Sequence, residues 1–453
     1  MFVGRINEKN KIETFITGRK KTLLIYGKRR VGKTELIKQS LINTEYVYYE
    51  CVKDTLKYNT EALIRVLINA KYLPNDYDTA SITSVFSVLN FINKKITIVI
   101  DEYPYLYEFE DKKKIDSLFQ NIIDNNLTNI KLILCGSNIA VMSSLLEEGS
   151  ALFGRFDDII HLKELNYKEA QAFYSNANVY DKIAYYSVFG GSPYLNRMID
   201  SKLDLKNNIK NNFLLDDSSC YKYCENLLFT DVPSSTNINA ICTVLKNGKK
   251  TCAEIENALN SEKNGGMNKK LDLLSKLGLI KKYQPINKLG NPKSTRYELN
   301  DNAIRFFYSF VYPNKSVLQT IGCDRFYDEY IHVRLNTFIS HRFEEIVRDY
   351  YSIAVKEGKY LDILNIGTYY YDNPVDKTNG EFDAVLKMKN GKYKIVEVKY
   401  YKNKPLSLKE MEHEFKQINQ IKEIDIDSVL FISTSGCEDT NAFETLSVDE
   451  LYR

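Results

Sequence analysis

Gly27-Lys28-Arg29-Arg30-Val31-Gly32-Lys33-Thr34 decides how the first third of this chain folds. The stretch follows the apolar run Thr22-Leu23-Leu24-Ile25-Tyr26 and leads into a helical pattern over residues 31–42. The spacing G-x-x-x-x-G-K-[ST] between a strand and a helix is what a phosphate-binding loop requires. Glycines let backbone N–H groups turn inward around phosphates, at the positive end of the following helix. Lys33 is expected to reach the β- and γ-phosphates of ATP, and the Thr34 hydroxyl to ligate magnesium. A chance glycine-rich turn would not carry these flanks.

Outward from the loop, short apolar runs alternate with helical patterns, the signature of a parallel sheet with crossover helices. Residues 45–49, 96–100 and 131–135 read as further strands, and 159–162 as the last one. The runs at 96–100 and 131–135 are continuously apolar, as strands covered on both faces should be. The first of these two ends in Asp101-Glu102, about seventy residues after the loop. Asp101 is expected to hold the metal through water and Glu102 to polarise the attacking water. Ser137 and Asn138 follow the next strand, where a polar side chain suits either the γ-phosphate and lytic water or a helix N-cap. Arg155, in Leu152-Phe153-Gly154-Arg155-Phe156, precedes the last strand. It reads either as a surface arginine pairing with Asp157 or Asp158, or as an arginine finger acting in cis or across a subunit boundary.

At 453 residues the chain is too long for one ordinary core and suggests about three domains. With 44% hydrophobic and 27% charged residues it has the balance of a globular protein. A net charge of +3 gives no global basic field, so any nucleic-acid surface must be local. Eight cysteines are scattered singly, without C-x-x-C or Cys/His spacing for zinc. Cys135 and Cys242 lie in apolar runs and read as small buried hydrophobes. The start has no basic segment followed by an apolar one, and no apolar stretch approaches the roughly 20 residues of a membrane span. The expectation is a cytoplasmic protein without a membrane partner.

The organisation expected is an ATPase core at 1–165, a helical lid at 166–235, a winged helix at 236–300, a connector at 301–325 and a last α/β domain at 326–453. Within 236–300, three helical runs lead to two strands around Gly290-Asn291-Pro292. Lys269, Lys270, Lys281, Lys282, Lys288, Lys293 and Arg296 offer a local basic surface there for DNA or RNA phosphates. The same module could instead pack on the ATPase and couple domains.

In the last domain, Gly380-Glu381-Phe382-Asp383 is followed fourteen residues on by Glu397-Val398-Lys399, across a hairpin turn containing Asn390-Gly391. Alternation puts Glu397 and Lys399 on one face, and in-register pairing brings Asp383 beside them. Two carboxylates with a lysine suit metal-assisted phosphodiester hydrolysis. Asp383 and Glu397 would bind magnesium while Lys399 acts on water and developing charge. A hairpin with merely solvated charges is the plain alternative.

Phe2-Val3-Gly4-Arg5 with Glu8, the loop, Ile98-Val99-Ile100-Asp101-Glu102-Tyr103-Pro104, Cys135-Gly136-Ser137, Gly154-Arg155 and Gly190-Gly191-Ser192-Pro193 closely resemble archaeal-type ATPases of the AAA+/STAND group. The resemblance implies that Val3-Gly4-Arg5 lies near adenine and that Gly190-Gly191-Ser192-Pro193 belongs to a helical lid. It also implies a winged helix and a C-terminal restriction-endonuclease-like domain. The hairpin acids resemble the PD-(D/E)XK nuclease core, in which Glu344 or Glu345 would be the helical acid and Gln417 an accessory group. No proline precedes Asp383, a departure from that core. The fold class expected is therefore multidomain α/β. Two functions compete: an ATPase gating a nucleic-acid-acting nuclease-like domain, and a STAND-like signalling switch, possible as a homo-oligomer, with an inactive docking module. A defence role against foreign DNA would be a use of the first.

Overall fold

The computed structural model describes residues 2–79, 81–92, 94–230, 237–246, 248–261, 265–373 and 378–453. The chain divides into two compact units, Met1–Leu165 and Asn166–Arg453. No helix among the described residues is long and apolar enough to cross a membrane.

The first unit is built on five parallel strands: β1 (Thr22–Tyr26), β2 (Tyr46–Glu50), β3 (Ile96–Asp101), β4 (Ile130–Gly136) and β5 (Asp158–His161). Their order is β2-β3-β4-β1-β5. Alternate residues feed two separate cores. Leu24, Ile98, Ile100, Leu132 and Leu134 pack on one face, while Leu23, Ile25, Val99, Ile133 and Cys135 pack on the other. This two-sided burial is why β1, β3 and β4 are apolar over most of their length and not alternating. It also buries Cys135 completely. The order matters for chemistry, because the C-terminal end of β4 falls between those of β1 and β3.

The helix after β1 is shorter than the sequence pattern indicates, Lys33–Ser40 and not 31–42. Arg30 (φ 65°) and Gly32 (φ 96°) are both left-handed, so the loop continues through Gly32. Gly27 is required for a different reason: a Cβ there would stand 2.2 Å from the Leu162 carbonyl oxygen.

The second unit opens with helices, one of which, Val179–Phe189, ends where Gly190 turns left-handed (φ 67°). The expected 235/236 boundary lies outside the described residues. Helices Ile238–Leu245, Cys252–Ala258 and Gly266–Lys276 accompany a small antiparallel sheet of β6 (Lys250–Thr251), β7 (Ile280–Tyr283) and β8 (Arg296–Leu299), ordered β6-β8-β7. Cys242 is 1% exposed. A capping box of Thr251 and Glu254 starts the second of these helices. Residues 292–294 form a 3-10 turn, so β8 starts only at Arg296.

The unit closes with a long helix, Val333–Lys356, against a mixed sheet. Its strands are β9 (Ile363–Asn373), β10 (Thr378–Met388), β11 (Tyr393–Lys399), β12 (Ile426–Ser433) and β13 (Glu444–Ser447), ordered β13-β12-β11-β10-β9. β9 and β13 both carry polar residues that blur a period-2 pattern in the sequence. β10 and β11 form the expected hairpin, with Val385 opposite Ile395 and Lys387 opposite Tyr393. Gly391 turns it at φ 89°. The structure therefore shows an α/β chain with a parallel five-stranded sheet, a helical region and a mixed C-terminal sheet.

Candidate functional site

In the first unit, β1, β3 and β4 bring the loop and the acids together. The Lys33 ammonium donates to the carbonyls of Gly27 (2.9 Å) and Lys28 (3.0 Å), and the residue is only 6% exposed. Thr34 Oγ1 donates to Asp101 Oδ2 at 2.9 Å. The backbone N–H of Glu102 donates to the other Asp101 oxygen at 2.8 Å. A hydroxyl and a buried carboxylate this close form a hard-oxygen pair suited to magnesium. Tyr48, on β2, also donates its hydroxyl to Asp101 Oδ2. Burial and that hydrogen bond push the Tyr48 pKa far up, so it stays a donor. The sequence showed Tyr48 only as a strand residue; its place opposite Val99 on the neighbouring strand is a matter of register.

Ser137 and Asn138 divide the two roles that the sequence left open. Asn138 accepts from the Val141 N–H at 3.1 Å and is a helix N-cap. Ser137 caps nothing: its Oγ (2.8 Å) and its N–H (3.1 Å) both donate to Glu102 Oε2. Glu102 sits at φ 48°, a left-handed conformation that is uncommon for a non-glycine residue. The side chains of the loop are tethered from outside it. Lys28 pairs with Glu164 at 3.1 Å, and Arg29 donates to the Tyr105 hydroxyl at 3.2 Å. Buried Arg5 donates to the Val31 carbonyl at 3.1 Å. Val31 is 1% exposed, so only its backbone can serve a ligand.

Arg155 lies elsewhere. Thr22, the first residue of β1, donates to the Arg155 carbonyl at 2.7 Å. That places the arginine at the end of the sheet opposite the loop, about 13 Å of strand away. Its guanidinium grips Asp124 at 3.0 Å and not Asp157, which instead accepts from the backbone of Lys21 and Thr22. A finger acting in cis is thereby corrected: the arginine cannot reach phosphates on its own loop.

In the second unit, the paired register of β10 and β11 ends at Val385 and Ile395, and β10 is irregular between Phe382 and Val385, so Asp383 and Glu397 lie just beyond the paired stretch. Lys399 contacts Glu397 (2.9 Å) and Glu414 (2.6 Å), the latter on helix Leu408–Asn419. Burial, with Glu414 and Glu344 nearby, pushes the Glu397 carboxyl up against the pull of Lys399. Burial opposes the charge on Lys399, but the two glutamates hold its pKa above the usual lysine value. Asp383 is bonded by Lys249, which also reaches Glu381 Oε1 at 3.0 Å, and Arg348 donates to the Asp383 carbonyl. Glu344 faces His341 at 3.8 Å. Glu345 joins a different network with Arg342 (2.6 Å), Lys281 (3.1 Å) and Arg305 (3.3 Å). Gln417 pairs with His413 on its own helix. Among the described residues no three His, Cys, Asp or Glu side chains are grouped to hold a metal ion. Asp383 and Glu397 are bonded to lysines and do not form an oxygen cage, so in this arrangement they do not fit magnesium. Lys249, Glu381 and Glu414 carry no motif of their own, and only the fold reveals them.

The basic surface around β7 and β8 is smaller than its lysine count. Lys281 is spent on Glu298 (3.0 Å) and Glu345, and Lys282 on Asp272 (3.3 Å). Lys269 is exposed and Lys270 half-buried on the preceding helix. Lys288 and Arg296 stack on the Tyr370 ring at 4.2 and 5.0 Å and, with Lys293, line a hollow of about 260 Å³.

Residues 2–198 match the family described as an ATPase domain predominantly from Archaea, and residues 307–416 match one described as archaeal and bacterial proteins of unknown function. An uncharacterized protein of Methanocaldococcus jannaschii is 28% identical over 378 residues, 82% of each chain. The Walker-type ATPase of Pyrococcus abyssi superposes with a TM-score of 0.53 at 18% identity, covering 68% of this chain and 96% of that one. At that identity the likeness establishes the fold.

Proposed function

We propose that an archaeal-type P-loop ATPase domain, carried by residues 2–198, binds and hydrolyses ATP with magnesium. The observation that carries this is the convergence of Lys33, Thr34, Asp101 and Glu102 at the C-terminal ends of β1 and β3, the two strands that flank β4. Lys33 and the loop amides hold the β- and γ-phosphates. Thr34 and Asp101 hold the metal, which neutralises phosphate charge when bound. Glu102, anchored through one oxygen by Ser137, has its other oxygen to take a proton from water. Arg155 then serves a neighbouring copy, since its own loop is out of reach. Two substitutions test the site. Lys33→Ala should abolish phosphate release and weaken ATP binding, while Glu102→Gln should bind ATP normally and barely turn it over. Normal turnover in either would sink the assignment.

In the same proposal the second unit is a winged helix joined to a nuclease-like domain, and nucleotide state governs its access to nucleic acid. Support comes from the Glu397–Lys399 pair on the strand next to the one that carries Asp383 and from the cations around Tyr370. The test is cleavage of plasmid and single-stranded DNA or RNA with and without ATP. A signalling switch with an inactive docking module is the second reading. The lysines bonded to Asp383 and Glu397 favour it.

A further inference from the structure

Within the second unit, next to the hairpin acids, lies a cavity of about 600 Å³. Ligand sites for small molecules run roughly from 300 to 1,000 Å³. Part of its wall is aromatic: half-buried Phe338 meets Phe310 at 5.4 Å, and the Arg334 guanidinium lies 5.1 Å from the Phe310 centroid. Aromatic rings beside arginine form a stacking platform for a base.

The rest of the lining is charged, and its charges do not balance. Lys246, Lys249, Arg305, Arg334, Arg342 and Arg348 stand against Glu298, Glu344, Glu345, Glu381 and Asp383, an excess of one cation. Burial pushes the Glu298 carboxyl toward its neutral form, which enlarges the positive excess. Arg342, 7% exposed, borders the cavity with its Nε lacking any hydrogen-bond partner. A buried donor without a protein acceptor is uncommon and calls for a partner such as a water, an ion or a ligand. Lys246 and Lys249 border the same space, and Lys249 is the group bonded to Asp383 and Glu381. An anion with an aromatic end matches these walls.

We propose that this cavity binds a nucleoside phosphate, the base against Phe338 and the phosphate on Lys246 and Lys249. Lys249 exchanges the Asp383 carboxylate for the incoming phosphate, so ligand entry uncovers the acid. A free mononucleotide and one unpaired nucleotide of a strand share this chemistry. The assignment rests on the nuclease-like reading only in giving Asp383 a role once it is uncovered.

The test is titration of the full-length protein with thymidine 5′-monophosphate and with a (dT)4 oligonucleotide, by calorimetry and by anisotropy of a labelled oligonucleotide. Saturable binding should survive Lys33→Ala, which separates it from the ATP loop. It should weaken about tenfold or more in Phe338→Leu and in Lys249→Met, the loss of one good contact each. Lys246→Glu, a partly exposed substitution that spares packing, should weaken it as well. Equal affinity for the two probes assigns a free nucleotide, and a large preference for (dT)4 assigns a strand. No saturable binding, loss in Lys33→Ala, or binding indifferent to all three cavity substitutions overturns the proposal. Binding without cleavage leaves it standing and removes the nuclease reading instead.

Discussion

Ser137→Ala isolates what the serine does for Glu102. In the structure Glu102 Oε2 accepts two hydrogen bonds, from Ser137 Oγ at 2.8 Å and from Ser137 N at 3.1 Å. The substitution removes the first and leaves the second, at a site only 4% exposed. A hydrogen bond to a charged group contributes about 1.5–3 kcal/mol. If roughly half of that is spent on holding the carboxylate where water is attacked, turnover should fall about tenfold, equivalent to about 1.4 kcal/mol. ATP affinity should change little, because Ser137 bonds to the acid in this geometry. The role of Glu102 can be checked by a cycle. In Glu102→Gln the hydroxyl meets a neutral amide, so Ser137→Ala should cost far less there, with a coupling of about 1–2 kcal/mol. The assay is steady-state phosphate release at saturating ATP for the four proteins. Unchanged or faster turnover in Ser137→Ala, or an equal loss in both backgrounds, would refute the anchoring role.

Arg155→Ala should lose at least about tenfold in turnover if it stabilises charge in a neighbouring site. Mixing it with Lys33→Ala should then restore activity above either protein alone; demonstrated subunit exchange without recovery assigns Arg155 to holding Asp124 only. The Glu345 carboxyl is pushed up by burial but held well below the usual carboxylate range by Arg342, Lys281 and Arg348. A depressed folded pKa gives stability that is present above the unfolded value of about 4.3 and lost as pH falls through the folded one. Glu345→Gln, which strips the acid from buried Arg342 and half-buried Lys281 and Arg348, should therefore cost about 3 kcal/mol at pH 7. The gap to wild type in denaturant midpoints should narrow progressively below about pH 5, and a constant gap would show that Glu345 is not the group responsible.

What could be read from the sequence was what is local. The loop between Tyr26 and Lys33, the strand ending in Asp101 and the Asn390-Gly391 turn each carry their signal within a few neighbouring residues. Strand β13 and most of β9 are hard to read because their polar residues hide the alternation. Partnerships escaped for a different reason. Tyr48 with Asp101, Ser137 with Glu102 and Lys249 with Asp383 join residues 53, 35 and 134 positions apart, and no periodicity encodes which pairs meet. The same blindness made Lys281 look like a surface charge, although both its partners are acids of the second unit.

The lysines of the two candidate sites are held by different kinds of partner, and that difference sets what each site can do. Lys33 rests on two neutral carbonyls of its own loop. Such bonds are worth about 0.5–1.5 kcal/mol net, so a phosphate bearing full charge displaces them readily. Lys249 and Lys399 rest on carboxylates, in bonds that are charge-assisted and roughly twice as strong. A divalent ion approaching Asp383 must either displace an ammonium already there or share the acid with it. A ligand that offers Lys249 a new anion removes that obstacle, whereas one that approaches Asp383 alone does not. A phosphate alone thus frees the loop lysine, while the hairpin acids stay paired with their lysines until a competing anion draws these away.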